Sequence, residues 1–167
     1  MFSHKSHTAA FLLSAFLPFV PGAAAAQGDN VPAETVSWTA APVEAKAGGK
    51  LALTLNGAVV EGWHIYSLQQ LPLGPNPLRV TVDSKDVALA DGPPSESKAV
   101  KAKDAAFGFE TQYFDKAFTV TLPVRLAKTV PPGQQAIAVS VRFQTCNGRV
   151  CQPPKTVHLS IPVTVKG

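Results

Sequence analysis

Methionine occurs once, as Met1, and cysteine twice, as Cys146 and Cys151. The first scarcity excludes a thioether copper site, because the one methionine lies in a segment expected to be removed. The second leaves a single possible sulfur pair. Long apolar runs are missing after residue 27, so no later segment has the roughly 20 apolar residues of a membrane helix. Helical periodicity is almost absent beyond residue 30. Fifteen prolines and twelve glycines punctuate the chain, which leaves little room for long helices. There is no C-x-x-C pair, no Ser-His-Asp order and no glycine-rich phosphate loop. Lys46, Lys50, Lys85, Lys98, Lys101, Lys103 and Lys116 are scattered among acids and prolines. They do not interleave with aromatics, so they read as a solvated surface and no nucleic-acid partner is expected.

What is there begins with "MFSHKSHTAAFLLSAFLPFVPGAAAAQ". A basic start at Lys5 is followed by an apolar run over residues 9–20, then Pro21-Gly22 and the small-residue site Ala24-Ala25-Ala26. That is the layout of a secretory signal peptide. The run is about a dozen residues long, too short for a bilayer span. Residues 1–26 are therefore expected to be cleaved off, residues 27–34 to be flexible, and residues 35–167 to form one domain. No cysteine follows the run closely, which argues against a lipid anchor. Removing Lys5 lowers the formal net charge from +4 to +3. Export also permits a disulfide, and no membrane insertion of the mature chain is expected.

Period-two runs dominate the remainder. They are "TVSWTA" (residues 35–40), "KLALTLNG" (50–57), "GWHIYS" (62–67), "LRVTVD" (78–83), "DVALA" (86–90), "KAFTVTLPVRL" (116–126), "QAIAVSVRFQT" (135–145) and "KTVHLSIPVTV" (155–165). β-Branched and aromatic residues fill them, as strands prefer. Turn clusters such as "AGGK", "LGPNP", "DGPPSES" and "VPPGQ" separate them. Seven or eight short antiparallel strands with such spacing predict an all-β sandwich, with a closed barrel as runner-up. Ile137, Val139, Val141 and Phe143 fall on one face, opposite Val157, Leu159 and Ile161. Pro123 and Pro162 predict edge positions or bulges. Residues 95–115 lack alternation and carry Phe107, Phe109, Tyr113 and Phe114 around Gly108. They read as a long loop or loose hairpin that packs on the domain or covers a site.

Four residues separate the cysteines: Asn147, Gly148, Arg149 and Val150. A two-residue Asn-Gly turn would set the sulfurs on diagonal positions, too far apart for an easy bridge. A four-residue loop sets Cys146 opposite Cys151, within reach of a bond. The wider loop and a bonded pair are expected. A bridge closing about six residues stabilises by only about 2 kcal/mol in the loop-entropy picture. Arg149 and Lys155 would favour a thiolate, and an exposed bridge exchanges more readily. Three readings stay open: a redox couple, an inert staple in a binding or assembly module, and part of a zinc site with His64 and His158.

The stretch "VRFQTCNGRVCQPPKTVHLSIPV" resembles the active-site strands of the N-terminal periplasmic domain of DsbD, the thiol–disulfide interchange protein. "EGWHIYS" is similar to that family's Gly-aromatic-x-x-Tyr strand, and "FDKAFTVTLPVRL" to a later strand. The resemblance spans about residues 35–165. It implies an immunoglobulin-like fold, location in the periplasm and no cofactor. It implies that Cys146 and Cys151 are the redox pair, with Cys151 the nucleophile toward partners and Cys146 the resolving thiol. His64 and Tyr66 fall where the family has aromatics near the pair. Phe107 falls near the cap loop, and Asp104 stands for an acidic residue there. Partners implied are a membrane-embedded thiol transporter as electron donor and periplasmic thioredoxin-fold proteins as acceptors. The family's membrane and thioredoxin domains are not in this sequence, so the domain is expected either to need a separate membrane partner or to serve another role.

Overall fold

The computed structural model describes residues 32–167; the leader and residues 27–31 lie outside the described residues. Thirteen strand segments follow one another: β1 (Val36–Ala40), β2 (Val43–Lys46), β3 (Lys50–Val59), β4 (His64–Tyr66), β5 (Arg79–Val82), β6 (Ala88–Ala90), β7 (Ser95–Glu96), β8 (Val100–Lys103), β9 (Glu110–Phe114), β10 (Phe118–Leu126), β11 (Gly133–Phe143), β12 (Thr145–Cys146) and β13 (Lys155–Lys166). The described residues contain no helix. Each of the eight alternating runs becomes a strand. The additions are short pieces, because two to five residues carry too little periodicity to stand out.

Two sheets form the sandwich. One runs β1-β3-β10-β6 with β7 also on β10; the other runs β2-β13-β11-β5. All pairings are antiparallel except β2 with β13. The long β11–β13 ladder sets Ile137 against Ile161, Val139 against Leu159 and Val141 against Val157. Period-two alternation then sends Ile137, Val139, Val141 and Phe143 inward, and all four are buried. Facing them from β3 and β10 are Leu53, Leu55, Val120, Leu122, Val124 and Leu126, likewise buried. Each such side chain contributes about 1.5–3 kcal/mol relative to exposure, which is why the alternation fixes the register so firmly.

Gly57 has a packing reason. It pairs with Phe118 across the β3–β10 ladder. A Cβ on Gly57 would stand 2.3 Å from the Phe118 ring. The ring lies over the bare glycine, stacks on Phe114 at 4.4 Å and meets Trp38 edge-on at 5.3 Å. Pro123 departs from expectation, since β10 is an interior strand. It sits between the stretches of β10 that pair with β6 and with β7. Its carbonyl accepts from Asp91 N–H, so its missing donor faces that gap in the ladder. Pro162 lies just before the point where β2 joins β13, on a length of β13 with a free outer edge.

A third sheet, β12-β4-β9-β8, stands against the sandwich. Its Ile65 and Phe114 are directly paired and join the main core. Residues 95–115 supply β7, β8 and β9, so the expected loose hairpin is a β8–β9 hairpin with its tip at residues 104–109.

Candidate functional site

β4 and β12 position the cysteines. Cys146 pairs with His64 and Thr145 with Ile65. Thr145 and Ile65 point to the core, so Cys146, His64 and Tyr66 share the opposite face of the third sheet. Past β12 the chain turns through residues 147–150. Asn147 N–H donates to the Val150 carbonyl, and the Asn147 Oδ1 accepts from Arg149 N–H at 3.0 Å and Val150 N–H at 2.8 Å. Asparagine holds a turn in this way because its short side chain mimics a backbone carbonyl. Gly148 has φ of 82°, a value glycine takes without steric cost. The turn brings Cys151 directly opposite Cys146. Their Cα atoms are 4.1 Å apart and the sulfurs are bonded. Cys146 is fully buried, whereas Cys151 is half-buried. The wider loop and the bonded pair expected from the sequence are both present.

Beside the pair lies a polar network in an otherwise apolar setting. Tyr66 is wholly buried, and its hydroxyl donates to Asp104 Oδ2 at 2.8 Å. The same hydroxyl lies 3.2 Å from His64 Nε2, which is 3.6 Å from Asp104 Oδ2. Since the tyrosine proton goes to the carboxylate, the hydroxyl oxygen is left to accept from a protonated His64 Nε2. Thr111 Oγ1 and Ala106 N–H also donate to Asp104. Burial alone would raise the Asp104 carboxyl, but the bonds from Tyr66, Ala106 and Thr111 and the nearby His64 hold it below its ordinary value. Burial lowers His64, with Asp104 and then Asp115 pulling the other way. Burial and the Asp104 hydrogen bond push Tyr66 far up. The arrangement is a fixed carboxylate, a neutral phenol and a mostly neutral imidazole packed on the strand that pairs with Cys146.

The β8–β9 tip closes over this network. Asp104 anchors it, with Gly108 N–H donating to the Asp104 carbonyl and Asp104 N–H to the Phe109 carbonyl. Gly108 has φ of 76°. Phe107 stands edge-on to Tyr66 at 5.8 Å, and Phe109 follows at 6.1 Å. His64 packs on Tyr113 at 4.7 Å.

The sequence model described as "Thiol:disulfide interchange protein DsbD, N-terminal" matches residues 34–161. The chain belongs to that family. Among solved structures it is similar to the N-terminal periplasmic domain of ScsB from Proteus mirabilis, at 19% identity and a TM-score of 0.50. That likeness covers 75% of this chain and 44% of the ScsB chain, so this chain spans less than half of it. Weaker likenesses run to the major pilin subunit BcpA of Bacillus cereus (10% identity, TM-score 0.47, 79% of this chain and 41% of that one). A cohesin of Acetivibrio cellulolyticus scaffoldin B is comparable (9%, 0.46, 80% and 100%). No curated protein matches.

The fold is the immunoglobulin-like β-sandwich that the DsbD resemblance implied. Membership of the DsbD N-terminal family and the bonded cysteines describe a thiol–disulfide exchange domain. The structure brings His64 and Tyr66 of β4 and Asp104 and Phe107 of the β8–β9 tip into one cluster, next to the strand pairing that holds Cys146. It does not assemble the zinc set. His158 lies on β13, bonded to Ser140, and among the described residues no group of three or more His, Cys, Asp or Glu is placed to hold a metal. Sequence reasoning missed Thr111 and Gln144, whose carbonyl accepts from Tyr66 N–H, and weighed Asn147 only in a two-residue turn that it set aside. Asn147 had a readable signal, an Asn-Gly pair between cysteines. Thr111 and Gln144 had none, because their partners are far away in the chain. Among the described residues no helix is long and apolar enough to cross a membrane.

Proposed function

We propose that this chain is a periplasmic electron relay that works through Cys146 and Cys151. In the reduced state the Cys151 thiolate attacks one sulfur of a partner disulfide. A mixed disulfide forms and the partner's other sulfur leaves as a thiolate. The Cys146 thiolate then attacks the Cys151 sulfur and releases the partner's first sulfur. Two electrons pass to the partner, whose two thiolates take protons from water, and the Cys146–Cys151 bond is restored. A membrane-embedded dithiol reverses the sequence and recharges the domain. The acceptors are thioredoxin-fold proteins of the periplasm, such as disulfide isomerases or cytochrome c maturation factors. Residues 1–26 direct export and are cleaved, and residues 35–167 carry the function.

The observation that carries this reading is the unequal burial of the bonded pair. Cys151 is within reach of solvent, while Cys146 is enclosed. An attacking sulfur has to be reachable, and a resolving sulfur has to be held beside it. Cys146→Ala should trap mixed disulfides through Cys151, and Cys151→Ala should trap none. Equal trapping by both variants would refute the division of roles.

A second reading has one observation in its favour: the complete burial of Cys146 suits an inert bridge in a binding module. A redox titration separates the two, because structural bonds have potentials below about −300 mV.

A further inference from the structure

The loop between β4 and β5, residues 67–78, plays no part in the reading above. Its tip carries the two most exposed large apolar side chains among the described residues, Leu71 at 60% and Leu73 at 96%. Leu73 is also the one non-glycine residue with positive φ among the described residues, at 67°. A branched side chain in that region is disfavoured. An apolar group held in solvent by a strained backbone costs stability twice, and such outliers point to function.

The loop is not slack. Gln70 Nε2 donates to the Gln112 carbonyl, and Gln112 N–H donates to Gln70 Oε1. At the other end Asn76 donates from its backbone N–H and from Nδ2 to Gln144 Oε1, both at 2.9 Å. Leu78 N–H closes the base on the Ser67 carbonyl. The tip is therefore braced outward with its leucines uncovered.

The bracing also fixes where the tip stands. Gln144 lies between β11 and β12, two residues before Cys146, so the brace from Asn76 ties the loop to the segment that carries the cysteine. At Gly74 an added Cβ would meet the Phe109 ring at 3.6 Å. Phe109 neighbours Phe107, which stands on Tyr66. An apolar ridge thus leads from the loop at Gly74 to Phe109 and on to Phe107, which stands on Tyr66 of the sheet face that holds Cys146, with Leu71 and Leu73 at its outer end.

We propose that this ridge is the docking surface for a protein whose reactive disulfide is rimmed by apolar side chains. Leu71 and Leu73 are its outer anchor. The occupant follows from continuity with the cysteine pair. Exchange requires a second disulfide at bonding distance from Cys151, and a protein presenting one covers what borders the pair. The inference rests on the exchange reading of Cys146 and Cys151.

The test compares two probes. The reduced domain is mixed with oxidised glutathione, a disulfide too small to reach the ridge, and separately with an oxidised thioredoxin-fold protein. The variant is Leu71→Ser with Leu73→Asn, since asparagine tolerates the positive φ. Rates to the protein probe should fall at least about tenfold, as for loss of an interface anchor. Rates to glutathione should stay unchanged. Equal protein rates for wild type and variant would overturn the docking surface and leave the exchange reading intact. A wild-type domain that reduces neither probe would overturn both. A variant whose only loss is binding to anionic lipid vesicles would reassign the ridge to a membrane.

Discussion

Tyr66 is wholly buried and still carries a hydroxyl, so its partners decide what it costs. The bond to Asp104 Oδ2 satisfies the donor, and His64 meets the oxygen. Tyr66→Phe keeps the ring against Phe107 and removes that donor. Stability to urea should fall by about 1–3 kcal/mol, the usual cost of leaving a buried polar partner short. The same cluster sets a pH dependence. His64 has a folded-state value below its ordinary 6.5. Between those two values the unfolded chain binds more protons, so stability is full above 6.5 and falls as the pH drops below it. Asp104 adds a second loss below its ordinary 3.8, by the same sign, as its carboxylate is protonated. His64→Gln should remove the first decline and keep the second. Denaturation midpoints from pH 7.5 down to 3 check both; an unaltered profile in the variant would show that His64 is not the group involved.

At the scale of elements, the β8–β9 tip is the part most open to experiment. Phe107 packs on Tyr66 from a tip anchored by Asp104, and we propose that it covers the sulfurs. Phe107→Ala should speed reduction of the Cys146–Cys151 bond by a small thiol, followed by stopped-flow; an unchanged rate would count against a cover. In the sandwich, Gly57→Ala would press a Cβ into the Phe118 ring. The ring is held by Phe114 and Trp38, so the change should destabilise by about 1–3 kcal/mol, the ordinary cost of overpacking. Most of the sandwich was legible in the sequence, because β10 alternates along all nine of its residues and β11 along most of its eleven. The four-residue β2 and two-residue β7 were not, since both depend on neighbours for their pairing. The cysteine turn was legible through its loop length. The joining of His64 and Tyr66 to Asp104 came only through resemblance. No local pattern tells β4 that a carboxylate 38 residues on will meet its tyrosine. The leucine ridge had no signal beyond "LPLGPNP", whose prolines and glycine mark a turn and say nothing of exposure.

For the whole molecule, the question is how much the fold depends on its one covalent link. The bond closes a separation of five residues, worth about 2 kcal/mol in the loop-entropy picture. The core is built by β3, β10, β11 and β13, none of which the link holds in place. The reduced domain should therefore stay folded, with an unchanged far-ultraviolet spectrum and a modestly lower Tm. That independence is what a redox couple needs, since both states have to present the same surface to partners. The most direct measurement is the equilibrium of the Cys146–Cys151 bond with glutathione buffers of known potential. A reduction potential above about −300 mV is predicted, within reach of exchange partners. A potential well below that value would contradict the account and leave the pair as a structural bridge.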